Sequence, residues 1–183
     1  MLKMRPAVSA DRPDVAKMIR ARCAWMEERG LPSWRESVDD LASQCDNPCG
    51  DVWLLELDGS RIVGRTMIQE QGPPWGWTEA ERAEPAHYLN TSVTDPGLRD
   101  LRPGTLMAWW AVDRAFRAGL SWIRRDCLSP DLVRYYSAQG FHLVHELERA
   151  KYRLYLLARQ AEPMEGLSEW FMSGRPALPG AGR

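Results

Sequence analysis

Apolar residues recur at Val15, Met18, Ile19, Cys23 and Met26, a spacing of three and four that predicts a helix with one buried face. Ser9 or Asp11 can cap it, Pro13 falls in its first turn and Asp14 lies near its positive end. Lys3 to Ala7 predicts a short strand before it, and Gly30-Leu31-Pro32 stops it. A second helix is predicted over 35–44, and Asp46-Asn47-Pro48-Cys49-Gly50 breaks the chain. Val52–Leu57 and Ile62–Ile68 then predict two strands joined by a hairpin turn at Asp58-Gly59-Ser60. Residues 71–85 hold Pro73, Pro74, Trp75, Gly76 and Trp77 and predict a long irregular loop.

Ala86 to Thr94 predicts a fourth strand, ended by Asp95-Pro96-Gly97. A long helix follows over 103–118, with Trp109, Trp110, Val112 and Phe116 as its core-facing stripe. A strand over 121–127 leads to a short helix that Pro130 opens and Gly140 stops. Strands over 141–147 and 151–157 complete the pattern. From 161 onward Pro and Gly predict little regular structure, with Trp170 and Phe171 available to dock on the body. This order implies an α/β (α+β) fold: a mixed, mostly antiparallel central sheet of about seven strands with helices on both faces. The 183 residues suit one domain, 1–158, with an extension over 159–183.

Charge narrows the function classes. Lys+Arg number 24 against 25 Asp+Glu, so a globally basic nucleic-acid binder is not indicated. No run is apolar enough to span a membrane, and the start, Met1 to Pro6, has no apolar leader; the expected location is cytoplasmic. Cys23, Cys45, Cys49 and Cys127 lack zinc spacing and read as reduced thiols, so no metal is expected. His142 and His145, three apart on a strand, would face opposite sides.

Three features lie between Tyr88 and Phe141. The first is strand-turn-helix, from Leu89-Asn90-Thr91-Ser92-Val93-Thr94 through Arg99–Gly104 into Leu106. The second is the strand Trp122–Cys127, and the third is Tyr136-Ser137-Ala138-Gln139-Gly140-Phe141. Together these resemble the core of the GNAT N-acetyltransferase superfamily, whose signature before the sixth strand is Tyr-x-x-x-Gly-Phe. The resemblance covers roughly residues 2–157. It implies a donor thioester, usually acetyl-CoA, in a splay between the fourth and fifth strands. Its pantetheine would run beside Ser92, Val93 and Thr94, and its pyrophosphate would sit on Arg99, Arg102, Gly104 and Thr105. A helix N-terminus suits an anion there on physical grounds as well. The resemblance implies direct transfer to an amine, with Tyr136 protonating the departing thiolate and Tyr135 the lesser candidate.

The phosphate loop departs from the family pattern, Arg/Gln-x-x-Gly-x-Gly/Ala. Arg99 and Gly104 match, but Arg102 stands in the place of the first glycine and Pro103 brings no N–H. Arg102 can compensate with charge-assisted bonds to phosphate. The segment 99–125 carries six Arg against two Asp, which suits the phosphates of CoA or of tRNA. Two alternatives therefore stand beside a CoA-dependent N-acyltransferase: aminoacyl-tRNA as donor, or a degenerate ligand-binding module.

For the acceptor, a small-molecule amine, the candidates are Trp75, Trp77, Asn90 and Trp34, with Trp25 beside the last. Glu70 is the first candidate for the general base, with His87 and Asn90 nearby on the fourth strand. A monomer or homodimer is expected.

Overall fold

The computed structural model describes residues 1–47, 50–70, 72–73 and 75–175. Pro48 and Cys49 of the predicted break, Gln71 and Pro74 of the predicted loop, and the tail beyond 175 lie outside the described residues. Seven strands form one sheet: β1 (Leu2–Pro6), β2 (Val52–Leu57), β3 (Arg61–Gln69), β4 (Ala86–Thr94), β5 (Trp122–Cys127), β6 (His142–Glu148) and β7 (Arg153–Gln160). Their order is β1-β2-β3-β4-β5-β7-β6. β1 and β2, β2 and β3, β5 and β7, and β6 and β7 pair antiparallel, while β4 and β5 are parallel. This is the mixed, mostly antiparallel sheet the sequence pattern implies.

By density of contacts the chain forms two compact units. The first contains 1–67, 91–107 and the residues from 165 on. Its core joins α1 (Arg12–Glu27) and α2 (Val38–Ser43) to the sheet. Val15, Met18, Ile19 and Cys23 pack there with Val38, Ala42, Val52, Leu54 and Val93, as the spacing predicts. The second helix is shorter than expected, with a 3-10 turn at each end. At the β2–β3 turn, Asp58 and Gly59 both have positive φ, the geometry of a tight hairpin. Gly64 lets α4 (Pro103–Arg117) approach β3 closely, because a Cβ there would lie 2.8 Å from Met107 Sδ.

The tail corrects the sequence expectation. Leu167–Ser173 form α6, bounded by Gly166 and Gly174, both of positive φ. α6 packs against β1 and buries Trp170 to 1 % exposure. One apolar anchor with glycine at both ends outweighs a composition that reads as irregular.

The second unit contains 68–90 and 108–164. Here the expected irregular loop carries a helix, α3 (Glu79–Ala83). Its start is a capping box: Thr78 Oγ1 accepts from the Glu81 N–H, and the Thr78 N–H donates to Glu81 Oε2. The Thr-x-x-Glu spacing that marks it is present in the sequence. Trp77, Tyr88, Leu154, Leu156 and Ala158 form this unit's core beside the loop. Gly76, at φ +93°, has no room for a side chain, since a Cβ would sit 2.6 Å from Leu147 and 2.7 Å from Leu156. α5 (Pro130–Ser137) starts as predicted, with Ser129 Oγ accepting from the Leu132 N–H. On α4 the expected stripe holds at Val112, which is fully buried, but Phe116 is 47 % exposed.

Candidate active site

The β4–β5 ladder is short. Among the described residues Ala86 pairs with Trp122, His87 with Ile123 and Tyr88 with Arg124. β4 runs on to Thr94 and β5 to Cys127. Thr91, inside β4, adopts φ +43°, in the left-handed region that residues other than glycine seldom occupy. Beside it, Asn90 Nδ2 contacts Gln69 Oε1 at 3.4 Å.

In the first unit, Ser92 Oγ and Thr66 Oγ1 lie 2.8 Å apart, and Val93 is buried. The Thr94 carbonyl accepts from Arg22 Nε at 2.9 Å, so its backbone oxygen is already engaged. Past Asp95 the chain makes a 3-10 turn over Pro96–Leu101, then passes through Arg102 in the left-handed conformation (φ +50°, ψ +49°). The sequence set an arginine where glycine was expected; the backbone keeps the shape glycine would give it. A left-handed non-glycine residue costs about 1–3 kcal/mol. Arg102→Gly is therefore expected to raise the unfolding free energy by about 1 kcal/mol. Urea denaturation at fixed pH measures it, and a lower midpoint would contradict it.

The N–H donors at the start of α4 are fewer than a helix N-terminus usually offers. The Thr105 and Leu106 N–H groups both donate to Arg102 O, and Pro103 has none. That leaves Gly104, whose N–H has no backbone partner among the described residues. Thr105 is buried, while Arg99 and Arg102 are exposed. Arg99 lies 5.0 Å from the Trp25 ring, with Arg22 at 4.9 Å and Arg29 at 4.1 Å. Trp25 thus has three guanidinium groups of the protein around its ring. Trp34, in this unit, is 42 % exposed and caps a 3-10 turn.

In the second unit, Glu70, Trp77, His87 and Arg124 line a cavity of about 570 Å³. Trp77 is 7 % exposed, and the Arg124 guanidinium lies 4.8 Å from its ring. Arg124 also donates to Glu84 Oε2 at 2.7 Å and to Glu81 O at 2.5 Å. One face of Trp77 is therefore occupied by a cation of the protein itself. Trp75 does not line this cavity; it is 40 % exposed, with Arg149 4.8 Å from its ring. His87 Nδ1 is buried without a hydrogen-bond partner among the described residues. Burial, helped by Arg114, lowers the His87 pKa, and Glu70 partly offsets this. The imidazole is neutral at pH 7 and beside a carboxylate. The sequence named His87 only as a neighbour of Glu70; nothing in its spacing marked its burial.

Tyr136 is buried at 4 % exposure, edge-on to Phe141 (5.5 Å) and to Tyr135 (5.0 Å). Tyr135 is exposed at 40 %. His145 meets Glu81 at 2.9 Å and Trp77 edge-on, while His142 meets Trp122. A register shift between Leu143 and His145 helps set these different partners. No cluster of His, Cys, Asp or Glu suited to a metal occurs among the described residues. No helix among them is long and apolar enough to cross a membrane.

The chain has the fold of the GNAT-family acetyltransferases. It is similar to an acetyltransferase of that family from Listeria monocytogenes, at 18% identity and TM-score 0.67 over 87% of this chain and 94% of that one. It is also similar to aminoglycoside 6'-acetyltransferase type Ii, at 17% identity and TM-score 0.61 over 88% of this chain and 99% of that one. A third likeness is to N-acetylglutamate synthase from Neisseria gonorrhoeae, solved with coenzyme A and N-acetyl-glutamate. There the identity is 19% and the TM-score 0.55, over 88% of this chain and 35% of that one. No family profile matches the sequence, and no curated relative is detected.

Proposed function

We propose that the protein is an N-acyltransferase that moves an acyl group, acetyl in the first instance, from a CoA thioester to the amine of a small molecule by direct transfer. The observation that carries this reading is the left-handed turn at Arg102, directly before a helix whose Gly104 N–H has no backbone partner among the described residues. An altered loop that still folds as a glycine turn favours a pyrophosphate ligand over lost function. With a single helix-terminal N–H open, Arg99 and Arg102 carry most of the phosphate contact by charge. Solved neighbours with the same fold are acetyltransferases, and one was solved with coenzyme A.

The acceptor amine occupies the cavity lined by Trp77, Glu70 and His87. Because Arg124 already covers a face of Trp77, the ring packs against the acceptor's carbon skeleton and does not hold its charge. His87 takes the amine proton, with Glu70 favouring the protonated imidazole. The amine nitrogen attacks the thioester carbonyl, the carbon–sulfur bond breaks, and Tyr136 gives its proton to the thiolate.

Calorimetric titration with acetyl-CoA and with CoA tests the donor. Micromolar binding is expected, weakened about tenfold in Arg102→Ala and further by added salt, because exposed charge contacts are screened. No heat with either ligand would overturn the CoA reading and leave charged tRNA as the donor to test.

A further inference from the structure

Two guanidinium groups sit side by side on β5, and only one has a carboxylate partner. Arg124 is paired with Glu84. Arg125 is as buried, at 7 % exposure, yet forms no ion pair among the described residues. Its Nη2 donates to the Asp126 carbonyl at 3.3 Å, while Nε and Nη1 have no hydrogen-bond partner among the described residues. Its Cζ lies 3.5 Å from the centroid of the Tyr136 ring. A desolvated cation without an anion is costly, so its retention needs a reason.

Among the charged and titratable groups on the elements packed against α5, Asp126, next along β5, is an anion that acts on Arg125 through space, but it forms no ion pair with it among the described residues. On β5, burial pushes the Cys127 thiol up and keeps it neutral; Arg125 only partly offsets this. On β7, Arg159 is bound to Glu162 and to the Gln139 carbonyl, and Tyr155 is a phenol. On β6, Glu146 and Glu148 approach Arg153, His145 meets Glu81, and His142 packs on Trp122. On α5 itself, Asp131 is paired with Arg134. The Arg125 charge is therefore set against the π face of Tyr136.

We propose that Arg125 is a positioning residue for acyl transfer, holding the ring of Tyr136 and stabilising the phenolate that remains after Tyr136 has given its proton away. This rests on the acid role assigned to Tyr136 above. In that step the Oη–H bond of Tyr136 breaks and an S–H bond forms on the departing thiolate. The electron pair stays on the phenolate oxygen, and solvent returns the proton once CoA has left. The need is quantitative. A phenol ordinarily titrates near 10 and a thiol near 8.5, so the transfer is uphill by roughly 1.5 pH units, and burial widens that gap. An opposite charge within about 4–6 Å recovers roughly 1–3 units. Burial opposes the Arg125 charge, but its interactions with Tyr136, with the Cys127 side chain and with the Asp126 carboxylate together keep its pKa above the ordinary value.

The test follows the five tyrosines by the NMR of their ring Cζ carbons, assigned with Tyr→Phe variants of the full chain. Tyr88 is an internal control of equal burial, 3 % against 4 %, and burial pushes its phenol strongly up, with Asp126 adding to the shift. Tyr136 is expected to titrate at least one pH unit below Tyr88 in the wild-type protein. Arg125→Gln should raise the Tyr136 titration by roughly 1–3 units. It should also lower kcat at least tenfold without changing the Kd for CoA, and Arg125→Lys should recover part of both. Equal titration of Tyr136 and Tyr88 in the wild type would overturn the proposal even if Arg125→Gln did not fold. So would an unmoved Tyr136 in a folded Arg125→Gln protein. Full turnover in Tyr136→Phe, with the titration shift intact, would instead sink the acid role, leaving the stack real but unused.

Discussion

Tyr136→Phe is expected to lower kcat for acetyl-CoA-dependent acylation by about 10²–10⁴-fold, the usual worth of a positioned proton donor. The same change should leave the Kd for CoA within about twofold, because the residues assigned to the phosphates lie on a different part of the chain. Phenylalanine keeps the edge-on contacts to Phe141 and Tyr135 and the Arg125 stack, and removes only the hydroxyl. A fall in kcat and in kcat/KM together marks a group that acts in the transition state. The loss should shrink for acyl donors with thiol leaving groups of lower pKa, which need less protonation. A variant that binds CoA but turns over at the wild-type rate would exclude Tyr136 as the acid, and Tyr135, at 40 % exposure, would be tested next.

The strands and helices that carry this site were legible because they follow simple periods and end in strong punctuation. Pro103, Pro130, Gly119 and Gly140 mark their helix boundaries in the sequence, and the folded elements start or stop within three residues of them. Two helices were not anticipated, for opposite reasons. α3 is five residues long, too short for a hydrophobic period, and only its Thr78–Glu81 box announces it. α6 is held by burial of Trp170, a docking the sequence allows for, while the helix around it is hidden by the Pro and Gly of the tail.

At the site, motif spacing was informative for backbone geometry and uninformative for environment. The mismatch at Arg102 marked a real left-handed turn. Of the residues considered for the acceptor and base, the fold gathers Glu70, Trp77 and His87 around one cavity. It leaves Trp75 outside that lining and Trp34 in the other compact unit. Those two tryptophans look alike in sequence to Trp77; what separates them is packing. Arg124 and Arg125 are adjacent and chemically identical, yet alternate sides of a strand give one a carboxylate as well as the Trp77 ring and the other the Tyr136 ring with no ion pair among the described residues.

His87→Gln is expected to lower the plateau of kcat/KM by about 10²–10⁴-fold and to remove its acidic limb. The sign follows from the imidazole's surroundings. Burial lowers the His87 pKa below its ordinary 6.5, and Arg114 adds to this, so the neutral base is present at pH 7 and is lost only in more acidic solution. The wild-type limb should therefore rise with pH with its midpoint below 6.5. The same shift bears on folding. Between the unfolded pKa and the lower folded one, the unfolded chain binds a proton that the folded chain does not, so stability falls as pH drops through that window. His87→Gln removes this linkage, and urea midpoints at pH 5 and pH 7.5 should then differ less than in the wild type. An acidic limb that survives unchanged in His87→Gln would move the proton acceptor to Glu70, a carboxylate of the same cavity that, unlike Glu84, is not paired with Arg124, and Glu70→Gln would then be the variant that flattens it.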